Sequence, residues 1–248
     1  MISPTIRLQQ VEKRFDGGLL ALQQVSMTVG AGEFVSLLGP SGCGKSTVLR
    51  LVAGLAEPTS GKVATSAEET AFVFQDAALM PWASVFDNVW LPLRLAGLAR
   101  DIAAPRVRHA LEAVGLGDFE RSRPAQLSGG MKMRASIARA LVTQPNLLLM
   151  DEPFGALDDI TRQRLNQDLL VRWQAAPMAV LFVTHSVFEA VFLSQRVLVM
   201  SPRPGRVVAE VAIDEPYPRA AGFRTSVAYL AACSRLGDAL ATAQKGAA

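Results

Sequence analysis

The chain reads Gly39-Pro40-Ser41-Gly42-Cys43-Gly44-Lys45-Ser46 at the point where a short apolar run ends and a helical pattern begins. This spacing is GxxxxGK[ST], and it stands between the strand-like run EFVSLL (33–38) and the helix-like run 45–54. Glycines let a backbone curl with its N–H groups pointing inward, so that phosphate oxygens can approach a helix N-terminus. Lys45 is placed to reach the β and γ phosphates, and Ser46 to ligate Mg²⁺. The context predicts a phosphate-binding loop rather than a plain glycine-rich turn.

Strand-like and helix-like runs alternate along the chain on both sides of this loop. The runs NLLLM (146–150), AVLFVT (179–184) and RVLVM (196–200) are predicted strands like EFVSLL, and all but the terminal residue of each is apolar. Such runs are typical of parallel strands that helices cover on both faces, so the predicted fold class is α/β. Helical patterns are predicted at 45–54, 105–114, 129–143, 158–173, 186–194 and, rich in alanine, at 225–243.

Other segments do not follow this buried pattern. IRLQQV (6–11) and QQVSMTV (23–29) alternate apolar with polar residues, which predicts a half-exposed antiparallel sheet at the N-terminus. We assign RVVAEVAI (206–213) to the same sheet. The tract from about 84 to 140 has helical patterns without a buried strand, which predicts a helical insertion in the α/β core.

The composition limits where such a chain can work. Its 248 residues are 50% hydrophobic and 19% charged, yet no apolar run approaches the roughly 18 residues that a membrane-spanning helix needs. The N-terminus lacks the features of a signal peptide, so we expect a cytosolic chain. Cys43 and Cys233 have no metal-binding spacing. The net charge of +3 is spread in short clusters such as Arg203/Arg206, which predicts solvated faces and no nucleic acid partner.

A second glycine-containing stretch, Ser128-Gly129-Gly130, opens the strong helical pattern 129–143. Ser128 is placed as an N-cap, and the two glycines leave backbone N–H groups accessible. The stretch is therefore either an ordinary helix cap or a second anion-binding helix end. If this helix end binds anions and lies on a separate helical insertion, one nucleotide cannot easily contact both it and the helix end at Lys45 in the same chain. Two chains packed head to tail would share two nucleotides.

Two acids end the apolar run at 147–150, and they are Asp151 and Glu152. Consecutive strand residues point to opposite sides, so we expect one carboxylate to face a metal ion. The other would face the γ phosphate and polarise the attacking water as a general base. The alternative is a pair of solvated acids at a strand end.

These motifs, in this order, resemble the ATPase subunit of an ATP-binding cassette (ABC) transporter over nearly the whole chain. Gly39 to Ser46 is similar to the Walker A loop, Leu127 to Met131 (LSGGM) to the signature, and Asp151 with Glu152 to Walker B. Further matches are Gln75 (Q-loop), Gly155-Ala156-Leu157-Asp158 (D-loop), His185 in FVTHS (switch histidine) and Phe15 (the aromatic residue that stacks on adenine).

The resemblance implies a P-loop NTPase fold with a RecA-like core, and an ATPase that uses ATP and Mg²⁺. It implies one domain over 1–248, with a helical subdomain at about 84–140 and a C-terminal helical tail at about 222–248. It also implies three sets of site residues: catalytic Glu152, His185 and Gln75; metal-binding Ser46, Gln75 and Asp151; and nucleotide-binding Phe15, Gly39, Pro40, Ser41, Gly42, Cys43, Gly44, Lys45, Ser46, Thr47, Ser128, Gly129, Gly130 and Asp158. If Cys43 lies in the loop, MgATP should protect it from a thiol reagent, whereas the labelling of Cys233 should not respond to MgATP.

Leu79-Met80-Pro81-Trp82, the following SVFDNVWLPLRLAG and the run DEPFGALDDITRQRLNQDLL resemble the importers of nitrate, sulfonates and taurine. This branch implies a homodimer on the cytoplasmic face of the membrane, bound to permease subunits and served by a solute-binding protein. Apolar residues at 79–93 are either core or a docking surface for the permease. The segment 62–74 is short for this branch, which predicts a shortened peripheral strand pair. An importer of pyrimidine vitamin precursors and a soluble non-transport ABC ATPase remain the alternatives.

Overall fold

The computed structural model describes residues 5–155, 157–219 and 221–245. The strands are β1 (Ile6–Arg14), β2 (Leu20–Val29), β3 (Phe34–Leu38), β4 (Ser60–Thr65), β5 (Thr70–Val73), β6 (Leu147–Asp151), β7 (Ala179–Thr184), β8 (Arg196–Met200) and β9 (Val207–Ala212). The helices are α1 (Lys45–Val52), α2 (Val85–Leu95), α3 (Arg100–Glu112), α4 (Gly129–Leu141), α5 (Asp159–Ala175), α6 (Val187–Leu193) and α7 (Val227–Lys245).

The central sheet has six strands in the order β5-β6-β7-β3-β8-β9, and the first five are parallel. Alternate residues of β3 enter two separate cores, because Phe34 and Leu38 pack on one face of the sheet and Val35 and Leu37 on the other. Burial on both faces explains why the central strands are almost entirely apolar. The predicted α/β class with a parallel sheet is confirmed.

A second sheet of three antiparallel strands, β2-β1-β4, covers part of one face, as predicted for the N-terminus. The assignment of 206–213 to it was wrong, since β9 pairs antiparallel with β8, with Val197 opposite Val211. Alternation reports a half-exposed strand, and an edge strand of the large sheet satisfies the same pattern. The predicted peripheral strand pair in 62–74 does not form either, because β4 joins β1 and β5 joins β6.

Helices α2, α3 and α4 follow β5 and precede β6 in the chain, and they pack on one another. This is the segment for which helices without strands were predicted. The two interpretations of the apolar residues at 79–93 divide along this segment. Val85, Val89 and Leu93 are buried in the core, whereas the side chain of Trp82 is 74% exposed. Within 5–155, 157–219 and 221–245, no helix combines the length and apolarity needed to cross a bilayer.

Parallel pairing brings the carboxyl ends of β3, β6 and β7 to one edge of the sheet, in adjacent positions. The segments that leave these ends begin at Gly39, Glu152 and His185. The edge where parallel strands end is the usual ligand-binding edge of an open α/β sheet. The fold therefore gathers three of the sequence motifs in one place.

Candidate active site

The loop after β3 closes onto the N-terminus of α1 through its glycines. Gly44 is the N-cap residue of α1 and has φ +103°. A Cβ on Gly44 would lie 2.6 Å from Leu22 Cδ2, and a Cβ on Gly39 would lie 2.9 Å from Cys43 Sγ. The backbone path of this loop thus excludes side chains at both positions, and it leaves the free N–H groups of the first helical turn at the edge of the sheet.

Lys45 lies under this loop with a side chain that is only 4% exposed. Its Nζ donates hydrogen bonds to Gly39 O (2.8 Å) and Pro40 O (3.0 Å). The same Nζ lies 3.6 Å from Glu152 Oε1. These contacts hold the cation where a phosphate oxygen on the loop would meet it.

Asp151 and Ser46 form the second polar contact of the edge. Ser46 Oγ donates to Asp151 Oδ1 at 3.0 Å, and the Asp151 side chain is buried at 7% exposure. Burial raises the pKa of Asp151, and the Ser46 hydrogen bond partly offsets that rise. A hydroxyl, a carboxylate and the nearby amide oxygen of Gln75 are all hard oxygen donors, so the residues present fit a Mg²⁺ ion.

Glu152 points away from Asp151, as expected for consecutive residues at a strand end. Its φ of +44° is unusual for a residue other than glycine and costs roughly 1 kcal/mol. Its N–H donates to Val183 O at 2.9 Å, which pins the strained residue to β7. Its Oε2 lies 3.0 Å from His185 Nδ1. One carboxylate therefore contacts both Lys45 and His185.

A cavity of about 300 Å³ opens over these groups. Phe15 lies at its edge, although it belongs to the loop after β1, and Gln75 reaches it from the segment after β5. The structure thus brings together residues that are far apart in the chain. Those lining the cavity are Phe15, Leu19, Ala21, Ser41, Gly42, Gly44, Lys45, Ser46, Thr47, Gln75, Glu152 and Arg203.

Arg203 is a site residue that the sequence analysis missed, since we assigned it to a solvated face. Its Nε and Nη2 both donate to Gly42 O, at 3.1 and 3.0 Å. The neighbouring Gly205 approaches the loop so closely that a Cβ would lie 2.0 Å from Cys43 O. The stretch SPRPG (201–205), which follows the buried strand β8, was the available signal, because Pro-Gly pairs mark tight turns near strand ends.

Cys43 belongs to the phosphate loop, but its thiol faces the protein interior. The side chain is 1% exposed and packs against Gly39. Burial raises the pKa of this thiol, which further lowers its reactivity. Protection of Cys43 by MgATP stays a prediction, and the burial of the thiol favours slow labelling with or without nucleotide.

The predicted residues of the helix α4 end and of the D-loop lie outside the cavity. Ser128 Oγ accepts a hydrogen bond from Met131 N at 3.2 Å, as an N-cap does. A Cβ on Gly130 would lie 3.1 Å from Leu157 Cδ2, so these two segments are neighbours. Asp158 is exposed and caps α5, and the N–H of Thr161 lowers its pKa. Ala156, also predicted in the D-loop, lies outside the described residues.

The candidate site therefore consists of two groups of residues. We call the first the loop cluster, which comprises residues 39–47 with Gln75, Asp151, Glu152 and His185. We call the second the signature cluster, which comprises Ser128, Gly129, Gly130, Leu157 and Asp158. Neither Ser128 nor Asp158 lines the cavity of the loop cluster.

Comparison with known proteins places this arrangement in a family. A family model described as "ABC transporter" matches residues 22–155, which is more than half of the chain. The taurine import ATP-binding protein TauB of Burkholderia pseudomallei (strain K96243) is 50% identical over 205 residues, covering 80% of this chain and 79% of that protein. A putative ATP-binding protein of Brucella abortus (strain 2308) is 42% identical over 246 residues, covering 96% and 94%.

Solved structures agree with the sequence matches. The dimeric structure of the ATP-binding cassette MJ0796 in a post-hydrolysis state, bound to ADP and Pi, aligns with a TM-score of 0.77. It is 31% identical and covers 85% of this chain and 100% of that chain. The resemblance predicted from the motifs is confirmed, including the P-loop NTPase fold. The chain belongs to the ABC transporter family, as an ATP-binding subunit that hydrolyses ATP.

Proposed function

We propose that Glu152 is the general base for ATP hydrolysis in the loop cluster. One observation carries this assignment, namely that its carboxylate lies between Lys45 Nζ (3.6 Å) and His185 Nδ1 (3.0 Å) beside the cavity. A carboxylate in this position can accept a proton from water that attacks the γ phosphate. The same position lets His185 orient the carboxylate and contact the γ phosphate itself.

The remaining loop residues bind and orient the substrate. The N–H groups at the start of α1 and the Lys45 ammonium would hold the phosphates, and Phe15 would stack on adenine. Ser46, Asp151 and Gln75 would hold Mg²⁺, which supplies positive charge that neutralises the phosphate oxygens. Thr47 lines the cavity beside Ser46, and we assign it to phosphate contact as well.

We infer that two copies of the chain pack head to tail. The signature cluster includes the N-terminus of α4, a helix of 13 residues, and neither Ser128 nor Asp158 lines the cavity. We therefore assign its N–H groups to the nucleotide of a partner chain. A partner's loop cluster would bring a γ phosphate to Ser128, Gly129 and Gly130, with Asp158 beside them. The dimeric state of the similar cassette supports this arrangement.

We further propose that this ATPase powers the import of taurine or a related sulfonate or nitrate through a permease. The support is the 50% identity to a taurine import ATP-binding protein, which favours this class over pyrimidine vitamin precursors. A solute-binding protein would deliver the solute. The chain would bind the cytoplasmic face of the membrane peripherally, and no nucleic acid partner is proposed.

An apolar groove of about 640 Å³ offers the permease a docking site. Phe72, Phe74, Leu91, Leu95 and Leu98 contribute its apolar walls, and Leu95 is among the exposed large hydrophobic side chains. Ala78, three residues after Gln75, also lines the groove, so a segment bound there would adjoin the Q-loop. The organisation as one domain, with a helical subdomain at about 84–140 and a tail at about 222–248, stays a prediction.

The decisive experiment on the base is Glu152→Gln. We expect ATP binding to persist and a dimer to accumulate on gel filtration with ATP, while turnover falls by about 100- to 1,000-fold because the base is lost. Glu68→Gln, at an exposed position remote in sequence from the site, is the matched control and should keep wild-type turnover. Turnover of the Glu152→Gln variant within twofold of wild type would contradict the assignment.

The solute is tested with the permease that co-purifies with the chain, reconstituted in vesicles with its binding protein. Taurine, another sulfonate or nitrate should stimulate ATP turnover, and a pyrimidine vitamin precursor should not. The reverse pattern would contradict the proposed solute class while leaving the ATPase assignment intact.

A further inference from the structure

A buried carboxylate, Glu189, lies in the first turn of α6 and has no part in the proposed hydrolysis. Its side chain is buried, with the residue 6% exposed, and it belongs to the helix that begins directly after His185 and Ser186. A carboxylate almost never lies at this depth without a partner, because the charged form loses its hydration. Its partners therefore indicate why it is there.

Glu189 is tied to the segment that carries the switch histidine. Its Oε2 accepts a hydrogen bond from Thr184 Oγ1 at 2.5 Å. The same Thr184 Oγ1 accepts a hydrogen bond from Ser186 N at 2.9 Å. The residues immediately before and after His185 are therefore joined to each other through the Thr184 hydroxyl. The carboxylate thus holds the backbone turn from which His185 projects toward Glu152.

On its other side, Glu189 faces Arg162 of α5, with 3.8 Å between Oε1 and Nε. Arg162 is tied to the D-loop, because its Nη2 donates to Leu157 O at 2.6 Å and its Nε to Phe154 O at 3.3 Å. Its Nη1 donates to Asp159 Oδ1 at 2.9 Å. The planar guanidinium therefore contacts three points of the segment 154–159 at once.

These contacts form a continuous connection between the two clusters. Gly130 of the signature cluster packs on Leu157, and Leu157 O is bound by Arg162. Arg162 faces Glu189, and Glu189 holds the turn at 184–186 that presents His185 to Glu152. The Arg162–Glu189 ion pair joins the D-loop segment to the switch segment through charged side chains, in addition to the Glu152–His185 contact.

We propose that the Arg162–Glu189 pair is a positioning device that couples the D-loop to the switch histidine within one chain. The pair fixes the position of the D-loop, which would contact the partner chain, relative to the Glu152–His185 contact. Closure of the dimer would then align the general base. Packing alone could fill this volume with apolar side chains, whereas a charged pair with fixed partners specifies one arrangement. The inference rests on the proposed role of Glu152.

The first test is Arg162→Ala. Turnover should fall by about 10- to 100-fold, since small displacements of a catalytic group cost that much. The Kd of a fluorescent ATP analogue, measured on the monomer, should stay within twofold, because neither residue of the pair lines the cavity. Arg164→Ala is the matched control in the same helix, where Arg164 pairs with Asp168 at 4.0 Å and its side chain is 75% exposed. It should keep turnover within twofold.

The second test combines Arg162→Ala with Glu189→Gln, which keeps an acceptor for Thr184 but removes the charge. If the two residues act as one unit, the double variant turns over no more slowly than the worse single variant. Arg162→Lys, which keeps the charge but not the fork, should restore part of the turnover. Independent, multiplicative losses or no rescue by lysine would overturn the proposal.

The thermal midpoint of each variant separates positioning from folding. A drop in midpoint together with parallel losses of ATP affinity and turnover would indicate a purely structural pair and overturn the proposal. If Arg162→Ala does not fold, Glu189→Gln decides, and wild-type turnover in that variant overturns it. If the Glu152→Gln variant keeps its turnover, the proposed role of Glu152 is wrong. If the Glu152→Gln variant is inactive but a folded Arg162→Ala variant keeps wild-type turnover, only the coupling inference is wrong.

Discussion

In the proposed function, the loop cluster and the signature cluster both bind phosphate at a helix N-terminus. They differ in how many contacts their side chains make within the chain. In the loop cluster the side chains of Lys45, Ser46 and Glu152 all have partners in the chain. In the signature cluster the Ser128 side chain caps its own helix, and a Cβ on Gly129 would meet nothing within 4 Å in the part of the chain that the structure describes.

This difference indicates two kinds of binding site. The chain itself preorganises the loop cluster, so nucleotide binding there depends on few further contacts. The signature cluster uses Ser128 and Asp158 as helix caps, and in the proposed dimer a partner's loop cluster completes it as a phosphate site. Substitutions in the first cluster should therefore act on one chain, and those in the second should act across the dimer.

The largest expected effect comes from distributing Lys45→Ala and Ser128→Ala between two differently tagged copies. With both substitutions in one copy, each shared site of the mixed dimer contains one damaged half. Turnover should then fall by about a hundredfold, as when phosphate-binding donors are removed. With one substitution in each copy, one site stays intact, and turnover should exceed the first arrangement at least about tenfold. Equal turnover in the two arrangements would contradict a head-to-tail dimer.

The second comparison uses two glycines. Gly44→Ala places a Cβ 2.6 Å from Leu22 Cδ2 at φ +103°, so we expect a loss of about 1 to 3 kcal/mol in the free energy of unfolding. Gly129→Ala should leave the free energy of unfolding unchanged or slightly higher, because alanine favours the helix. Urea unfolding of both variants measures this. A destabilised Gly129→Ala variant would mean that the signature cluster is held within the chain after all.

Turnover of the Gly129→Ala variant gives the complementary result. Among the described residues, no atom of another segment lies within 4 Å of this Cβ, so we interpret a loss of turnover at saturating ATP as a contact with the partner subunit. We expect such a loss without a change in the affinity of the monomer for ATP. Full turnover would show that Gly129 does not approach the partner's nucleotide.

A smaller effect is expected for Arg203→Ala. Loss of its two hydrogen bonds to Gly42 O should loosen the phosphate loop and raise the Kd for ATP by about threefold to tenfold, in line with the net contribution of one ordinary hydrogen bond. Arg206→Ala is the control, since Arg206 bonds to Gln23 rather than to the loop. Titration with a fluorescent ATP analogue measures both. An unchanged Kd for Arg203→Ala would show that Arg203 does not support the phosphate loop.

The smallest effect concerns the two thiols. Cys43 is buried and Cys233 is half-buried, so a maleimide should label Cys233 first, with or without MgATP. Burial raises the pKa of both thiols, so labelling of each should accelerate as the pH rises. Mass spectrometry of labelled peptides measures the order. Rapid labelling of Cys43 that MgATP suppresses would show that the loop opens in solution.

Local patterns predicted most of the loop cluster, because most of its functional residues lie in short contiguous segments. A glycine loop between a strand and a helix, and two acids at the end of an apolar strand, each require only near neighbours. Arg203 escaped prediction because its partner, Gly42 O, lies 161 positions away in the chain. The same reason applies to β9. Its alternating pattern correctly predicts a half-exposed strand, but the pattern does not identify β8 as its partner.

The sequence by itself determined the strand and helix periods, the phosphate loop and the order of motifs that marks the family. Only the tertiary structure decided that Cys43 faces inward, that Arg203 holds the loop and that Arg162 and Glu189 join the two clusters. Helix and strand periods depend on neighbouring residues, so they can be read along the chain. Which side chains meet depends on strand order and helix packing, which bring together residues whose separation in sequence carries no signal of their contact.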